Sequence, residues 1–190
     1  MGLRVVRKAG VELSQGRERI LGIDPGTVAT GWGIVEMAGS SLFHVDHGTI
    51  GSSSSMGQGE RLKRIYNGLQ EILARYRPQG ISLERVFFAR NAESALKLGQ
   101  ARGIALLSAA EGGIAVHEYA SAEIKLAVVG YGQASKEQVQ KMVASLLHLP
   151  EPIPADAADA LAAAICHLHQ RAFHARVKGA LTTNVRAIRR

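Results

Sequence analysis

From Ile20 onward the apolar positions fall into short, well-bounded blocks. Ile20-Leu21-Gly22-Ile23 is an apolar run stopped by Asp24-Pro25-Gly26, which predicts a strand entering a turn. Gly31 to Met37 and Leu42 to Ile50 predict two more strands, with Ala38-Gly39-Ser40-Ser41 as the hairpin loop between them. Connections this short leave no room for a helical crossover, so the first three strands are expected to be antiparallel. Gly51 to Gly59 is a Ser/Gly-rich stretch whose one apolar side chain is Met56, and it reads as a mobile loop.

The period then changes. Leu62, Ile65, Leu69, Ile72 and Tyr76 recur at steps of three and four, which predicts an amphipathic helix ended by Pro78. Ile81 to Val86 predicts a fourth strand, alanine-rich 92–111 a second helix, and Ile114 to Tyr119 a fifth strand. A short helix over Ala122 to Val129 follows. Ser135 with Gln138 three residues on is a capping box that opens another helix. Pro150, Pro152 and Pro154 forbid helix between them, and a last alanine-rich helix runs from Asp156 to about Gln170. The order β-β-β-α-β-α-β-α-α-α predicts an α/β fold with a mixed five-stranded sheet. Helices on both faces explain why the first and fourth strands are apolar almost throughout.

Composition adds limits. The 190 residues suffice for one compact domain. No stretch approaches the roughly 20 apolar residues of a membrane span, and the N-terminus lacks the apolar block of a signal peptide. One cysteine, Cys166, excludes an internal disulfide and fits a reducing, cytoplasmic setting. The net charge of +7 is concentrated at the ends. Residues 171–190 hold six cations and no acid, residues 1–19 hold five cations and two acids, and the residues between therefore carry −2. The expected organisation is a flexible extension at 1–19, a domain at 20–170 and a basic tail at 171–190. Whether the ends are solvated or grip a polyanion is open at this point.

Four acids stand in unusual surroundings. Asp24 ends the most apolar strand, Glu84 lies within Ile-Ser-Leu-Glu-Arg-Val, and Asp156 and Asp159 open the last helix three residues apart on one face. Each has a plain alternative: Asp24 bonding its turn, Glu84 facing solvent, Asp156 favouring a helix N-terminus. Together they suggest more. Clustered carboxylates repel and need a counter-charge, and oxygen-only donors suit Mg²⁺ or Mn²⁺. Two such ions about 4 Å apart can activate water and stabilise the leaving oxygen of a phosphodiester.

The tracts around these acids resemble a known family. Ile20-Leu-Gly-Ile-Asp-Pro-Gly-Thr with Thr30-Gly-Trp-Gly, the run from Glu84 to Gly103, Val128-Val-Gly-Tyr-Gly, and Ala155-Asp-Ala-Ala-Asp-Ala-Leu-Ala are similar, in order, to the bacterial RuvC Holliday-junction resolvases. The resemblance runs from about Ile20 to His169, and residues 1–19 depart from it. It implies a ribonuclease-H-like fold. It also implies a Mg²⁺-dependent endonuclease, with Mn²⁺ as substitute, that resolves four-way junction DNA by paired symmetric nicks in recombination and repair. By the same resemblance Asp24, Glu84, Asp156 and Asp159 are the metal-binding carboxylates, Phe87 stacks at the junction centre, and Lys125 and Lys136 contact phosphates. A homodimer and the branch-migration proteins RuvA and RuvB are the implied partners.

Other residues carry weaker signals. Arg90 and Lys97 are further candidates for DNA contact. For one of Phe87 and Phe88 core packing is the better reading, and the other is placed to stack on an unpaired base at the rim. His167 and His169, two apart, do not share a helical face and do not make a zinc site. Cys166 reads as a small packed residue. In helix 92–111 the row Ala92, Ala95, Gly99, Gly103 lets another surface approach, either a partner helix or the parent sheet. Three rivals remain: an actin-like kinase, for which the chain is too short; a non-catalytic junction-binding scaffold; and a ribonuclease-H-like nuclease of other specificity.

Overall fold

The computed structural model describes residues 17–53, 55–85 and 92–188. Its elements follow the predicted order: β1 (Glu18–Asp24), β2 (Ala29–Ala38), β3 (Ser41–Gly51), α1 (Gln58–Tyr76), β4 (Gly80–Glu84), α2 (Ala92–Glu111), β5 (Ala115–Tyr119), α3 (Ser121–Val129), α4 (Lys136–Leu147) and α5 (Ala155–Ile188). The strands form one mixed sheet in the order β3-β2-β1-β4-β5. β1 pairs antiparallel with β2 and parallel with β4, as short hairpin loops and a helical crossover require.

Strand alternation sorts the core into two layers. Leu21 and Ile23 of β1 and Ile81 and Leu83 of β4 meet Ile65, Leu69, Ile72 and Tyr76 of α1 and the Ala101, Ala105, Ala109 face of α2. The opposite face packs against α3, α4 and α5 through Ile20, Val35, Leu161 and Ile165. Here β1 and β2 offer glycine where a side chain would collide. A Cβ on Gly22 would lie 1.8 Å from the Ala160 carbonyl oxygen, and one on Gly31 would lie 2.0 Å from that of Asp156. With Ala157, Ala160 and Ala164 facing them, α5 lies almost directly on the strand backbones. Ser82 Oγ on β4 adds a hydrogen bond to the Ala163 carbonyl at 2.7 Å.

The structure alters several expectations. Residues 18 and 19 belong to the fold. Arg19 is 1% exposed, stands opposite Glu36 in the β1–β2 register, and donates from Nε to Glu36 Oε1 at 2.8 Å. A buried guanidinium is tolerated because it is paired. α1 begins at Gln58, a turn before Leu62, with Glu60 accepting from the Gly57 N–H at 3.0 Å. In the segment read as mobile, Ser52 is tied to the β1–β2 turn, its N–H to Val28 O and its Oγ to Thr27 O. α5 continues past Gln170 to Ile188. The expected strand end at Val86, and Phe87, Phe88 and Arg90, lie outside the described residues. Among those described, no helix is long and apolar enough to cross a membrane.

Candidate functional site

The β1–β4 register pairs Ile23 with Leu83, so the next step places Asp24 beside Glu84 at the carboxyl ends of two adjacent parallel strands. Side chains alternate across a sheet. Because Ile23 and Leu83 face α1, Asp24 and Glu84 face α5. Across that face, α5 starts beside Gly31, the residue paired with Asp24. The missing side chain at Gly31 lets the Asp156 backbone sit against β2, and Asp159 follows one turn along. The three elements that bring the four acids together are thus two neighbouring strand ends and one closely packed helix N-terminus.

The result is a cleft of about 300 Å³ lined by Asp24, Glu84, Asp159, Lys125 and Lys136, with Ser121, Ile124, Val139 and Ala162 as its walls. Asp156 lies at its edge, close enough to act electrostatically on Asp24. Burial raises the Asp24 carboxyl from its ordinary 3.8 to about 7, and the charges of Asp159, Asp156 and Glu84 push in the same direction. Lys136 opposes them. Its Nζ donates to Asp159 Oδ2 at 3.1 Å, and this bond holds its own proton more tightly than usual.

This arrangement has the properties of a divalent-cation site. All four carboxyl groups supply hard oxygen donors, burial and then the charges of its three neighbours raise the Asp24 carboxyl, and the Lys136 ammonium already pairs with Asp159. Among the described residues no three His, Cys, Asp or Glu side chains form a closed metal cage.

The histidines lie elsewhere. His167 is buried, exchanges a 2.8 Å hydrogen bond with Tyr119 Oη, and stacks on His117 with ring centroids 4.1 Å apart. Burial, helped by His117 and Arg171, lowers it to about 4, so it is a neutral packed side chain. His169 faces the Ala127 carbonyl at 3.0 Å. The Cys166 thiol, pushed up to about 12 by burial, is no nucleophile. Lys97 is exposed on α2, away from the acid cleft, and pairs with Glu93. Ala92, Ala95, Gly99 and Gly103 all face outward, which removes docking on the parent sheet as their role. The residues missed in the sequence are Gly22 and Gly31. Their signal was Gly22 within the apolar first strand and the alternating Gly31 and Gly33 of the second, matched by an alanine-rich helix.

The sequence profile described as "Crossover junction endodeoxyribonuclease RuvC" matches residues 20–167. A crossover junction endodeoxyribonuclease RuvC of Geobacter sp. (strain M21) is 53% identical over 160 residues, covering 84% of this chain and 98% of its own. That of Pelobacter propionicus is 56% identical over 151 residues, covering 80% and 86%. Among solved structures, Thermus thermophilus RuvC in complex with a Holliday junction substrate superposes with a TM-score of 0.78 at 36% identity, covering 83% of this chain and 96% of that one. The yeast mitochondrial resolvase Ydc2, at 14% identity and a TM-score of 0.58, shares the fold.

Proposed function

As the chain belongs to the RuvC family of crossover junction endodeoxyribonucleases, we propose that it resolves four-way DNA junctions by hydrolysis in the acid cleft, with Mg²⁺ held by Asp24, Glu84, Asp156 and Asp159. Mn²⁺, also an oxygen-seeking ion, can take its place. The observation that carries this reading is the gathering of Asp24, Glu84 and Asp159 from β1, β4 and α5 on one cleft with Asp156 close by, where burial and then the neighbouring charges raise the Asp24 carboxyl to about 7. A pure binder of phosphates gains nothing from anions aimed at its ligand, which disfavours a scaffold.

The bound ion supplies a Lewis acid that activates water and stabilises charge on the phosphodiester oxygens. The chain's own residues prepare the rest. Ionised Asp24, Glu84, Asp156 and Asp159 would hold that ion. Lys136 and Lys125 stand on the α3–α4 wall of the cleft, where their charges offset that of a phosphate. By the family resemblance Phe87 stacks at the junction centre, and Arg90 is a further residue for DNA contact.

Two nicks on opposing strands need two clefts, so the working unit is a symmetric homodimer. Its contact is the outer face of α2, where Leu96 (68% exposed), Gly99, Gly103 and Leu106 share one stripe. RuvA and RuvB are its branch-migration partners, and it works in the cytoplasm. The test is nicking of a synthetic four-way junction with Mg²⁺, Mn²⁺, Ca²⁺ or EDTA. Symmetric nicks are expected with Mg²⁺ and Mn²⁺ alone, since Ca²⁺ coordinates too loosely to position water. Tight binding without nicking in Mg²⁺ would favour the scaffold.

A further inference from the structure

A second cavity, of about 240 Å³, is lined by Thr27, Gln58, Arg61 and Lys97. Thr27 is three residues past Asp24, within about 11 Å along the chain. Gln58 and Arg61 open α1 and Lys97 lies on α2, so this cavity belongs to the helices on the other face of the sheet from the acid cleft. The β1–β2 turn separates the two. We propose that the cavity is a second phosphate site, which holds a backbone phosphate of the cut DNA strand one or two nucleotides from the cleavage point. This rests on the nuclease reading of the acid cleft.

The chemistry of the lining carries the proposal. Hydroxyl, amide, guanidinium and ammonium all donate hydrogen bonds, and among the described residues no carboxylate lines the space. The larger groove along α1, of about 680 Å³, differs: Glu60 and Glu71 line it together with Lys63 and Arg64. The donors of the second cavity are also held in place. Arg61 Nε donates to the Met56 carbonyl at 3.0 Å, the Gln58 amide donates to Gln100 Oε1, and Ser52 Oγ fixes the Thr27 carbonyl at 2.7 Å. Of the nearby acids, Glu60 accepts from the Gly57 N–H, and Glu93 pairs with the cavity's own Lys97 across an exposed i,i+4 contact of 2.6 Å that a phosphate readily replaces.

Electrostatics gives the cavity its purpose. Four carboxylates repel an approaching strand, so cations must flank them on both sides. Lys125 and Lys136 do so on the α3–α4 side. Arg61 and Lys97 do so on the α1–α2 side, where the strand leaves the cleft past Thr27.

The experiment compares Arg61→Gln/Lys97→Gln with the charge-matched pair Lys63→Gln/Arg64→Gln from the mixed groove, after thermal melts confirm that both fold. Binding is measured in EDTA on four-way junctions carrying one neutral methylphosphonate at a time near the cut. Wild type should lose about tenfold in affinity at one position, one or two nucleotides from cleavage. The cavity variant should bind the unmodified junction about tenfold more weakly, show a salt slope lower by about one, and be indifferent to neutralisation at that position. The control pair should keep the wild-type response there. A cavity variant that keeps the wild-type sensitivity at every position, or a control pair that loses it equally, overturns the proposal. Nicking of the unmodified junction by wild type in Mg²⁺ is recorded alongside. A failed cavity leaves that nicking in place, whereas its absence overturns the cleft reading and this site with it.

Discussion

Without a counter-ion, Asp24 sits beside three other carboxylates and keeps its proton up to a pH of about 7, whereas in the unfolded chain it ionises near 3.8. Its folded value is raised, so its favourable contribution is complete below 3.8 and is lost as pH rises through 7. Above that, the ionised group costs the fold at most about 4 kcal/mol. Asp24→Asn removes this cost. It should melt above wild type at pH 8 in EDTA, with the gap closing toward pH 4; equal melting temperatures at pH 8 would show that the cluster does not strain the fold. Added Mg²⁺ should raise the wild-type melting temperature and leave the variant almost unmoved. His167 works in the opposite sense. Its folded value is lowered to about 4, so the stability it contributes is present above 6.5 and lost as pH falls through 4. Wild type and Asp24→Asn should therefore share the same acid limb, worth about 3 kcal/mol at most.

The contact between α5 and the β1–β2 hairpin sets the position of the acids, and it depends on absent side chains. Gly31→Ala puts a methyl group against the Asp156 carbonyl, so it should destabilise the protein by roughly 1–3 kcal/mol and slow nicking as well, because α5 must shift. Gly59→Ala, in the open first turn of α1, should be neutral or slightly stabilising in the same melts. A Gly31→Ala protein with wild-type stability and nicking would mean that the close approach does not place the acids. The elements themselves were legible in the sequence: the switch from period two to period 3.6 at Leu62, the Ser135–Gln138 box, observed with Ser135 N donating to Gln138 Oε1 at 2.8 Å, and the stop at Pro78. What escaped the sequence depended on partners. Arg19 reads as a tail charge until the hairpin register sets Glu36 opposite it. The last helix runs beyond Gln170 because its continuation is rich in alanine and arginine, good helix formers that need no apolar stripe. The acids were visible one by one, but their convergence depends on Gly22 and Gly31, whose role appears only when the alanine face of α5 lies on them.

At the scale of the whole molecule, the net charge of +7 coexists with an acid cleft, so on the proposed reading DNA is gathered by surrounding cations and cut at a locally negative centre. In the proposed homodimer the exposed α2 stripe is the contact that brings in the second cleft. Leu96→Glu should convert a dimer of about twice the 20.3 kDa chain mass into a monomer by light scattering, with the melting temperature of the monomer kept and paired cuts replaced by single nicks. A Leu96→Glu protein that stays dimeric would move the contact elsewhere. The most direct test of the acid cleft uses the pair. Wild type and Asp24→Asn are mixed, the mixed dimers are isolated, and each species is assayed on an intact four-way junction in Mg²⁺. Wild type should cut two opposing strands, the mixed dimer one strand only, and the Asp24→Asn dimer neither, while all three bind the junction. An Asp24→Asn dimer that cuts at close to the wild-type rate would contradict the account.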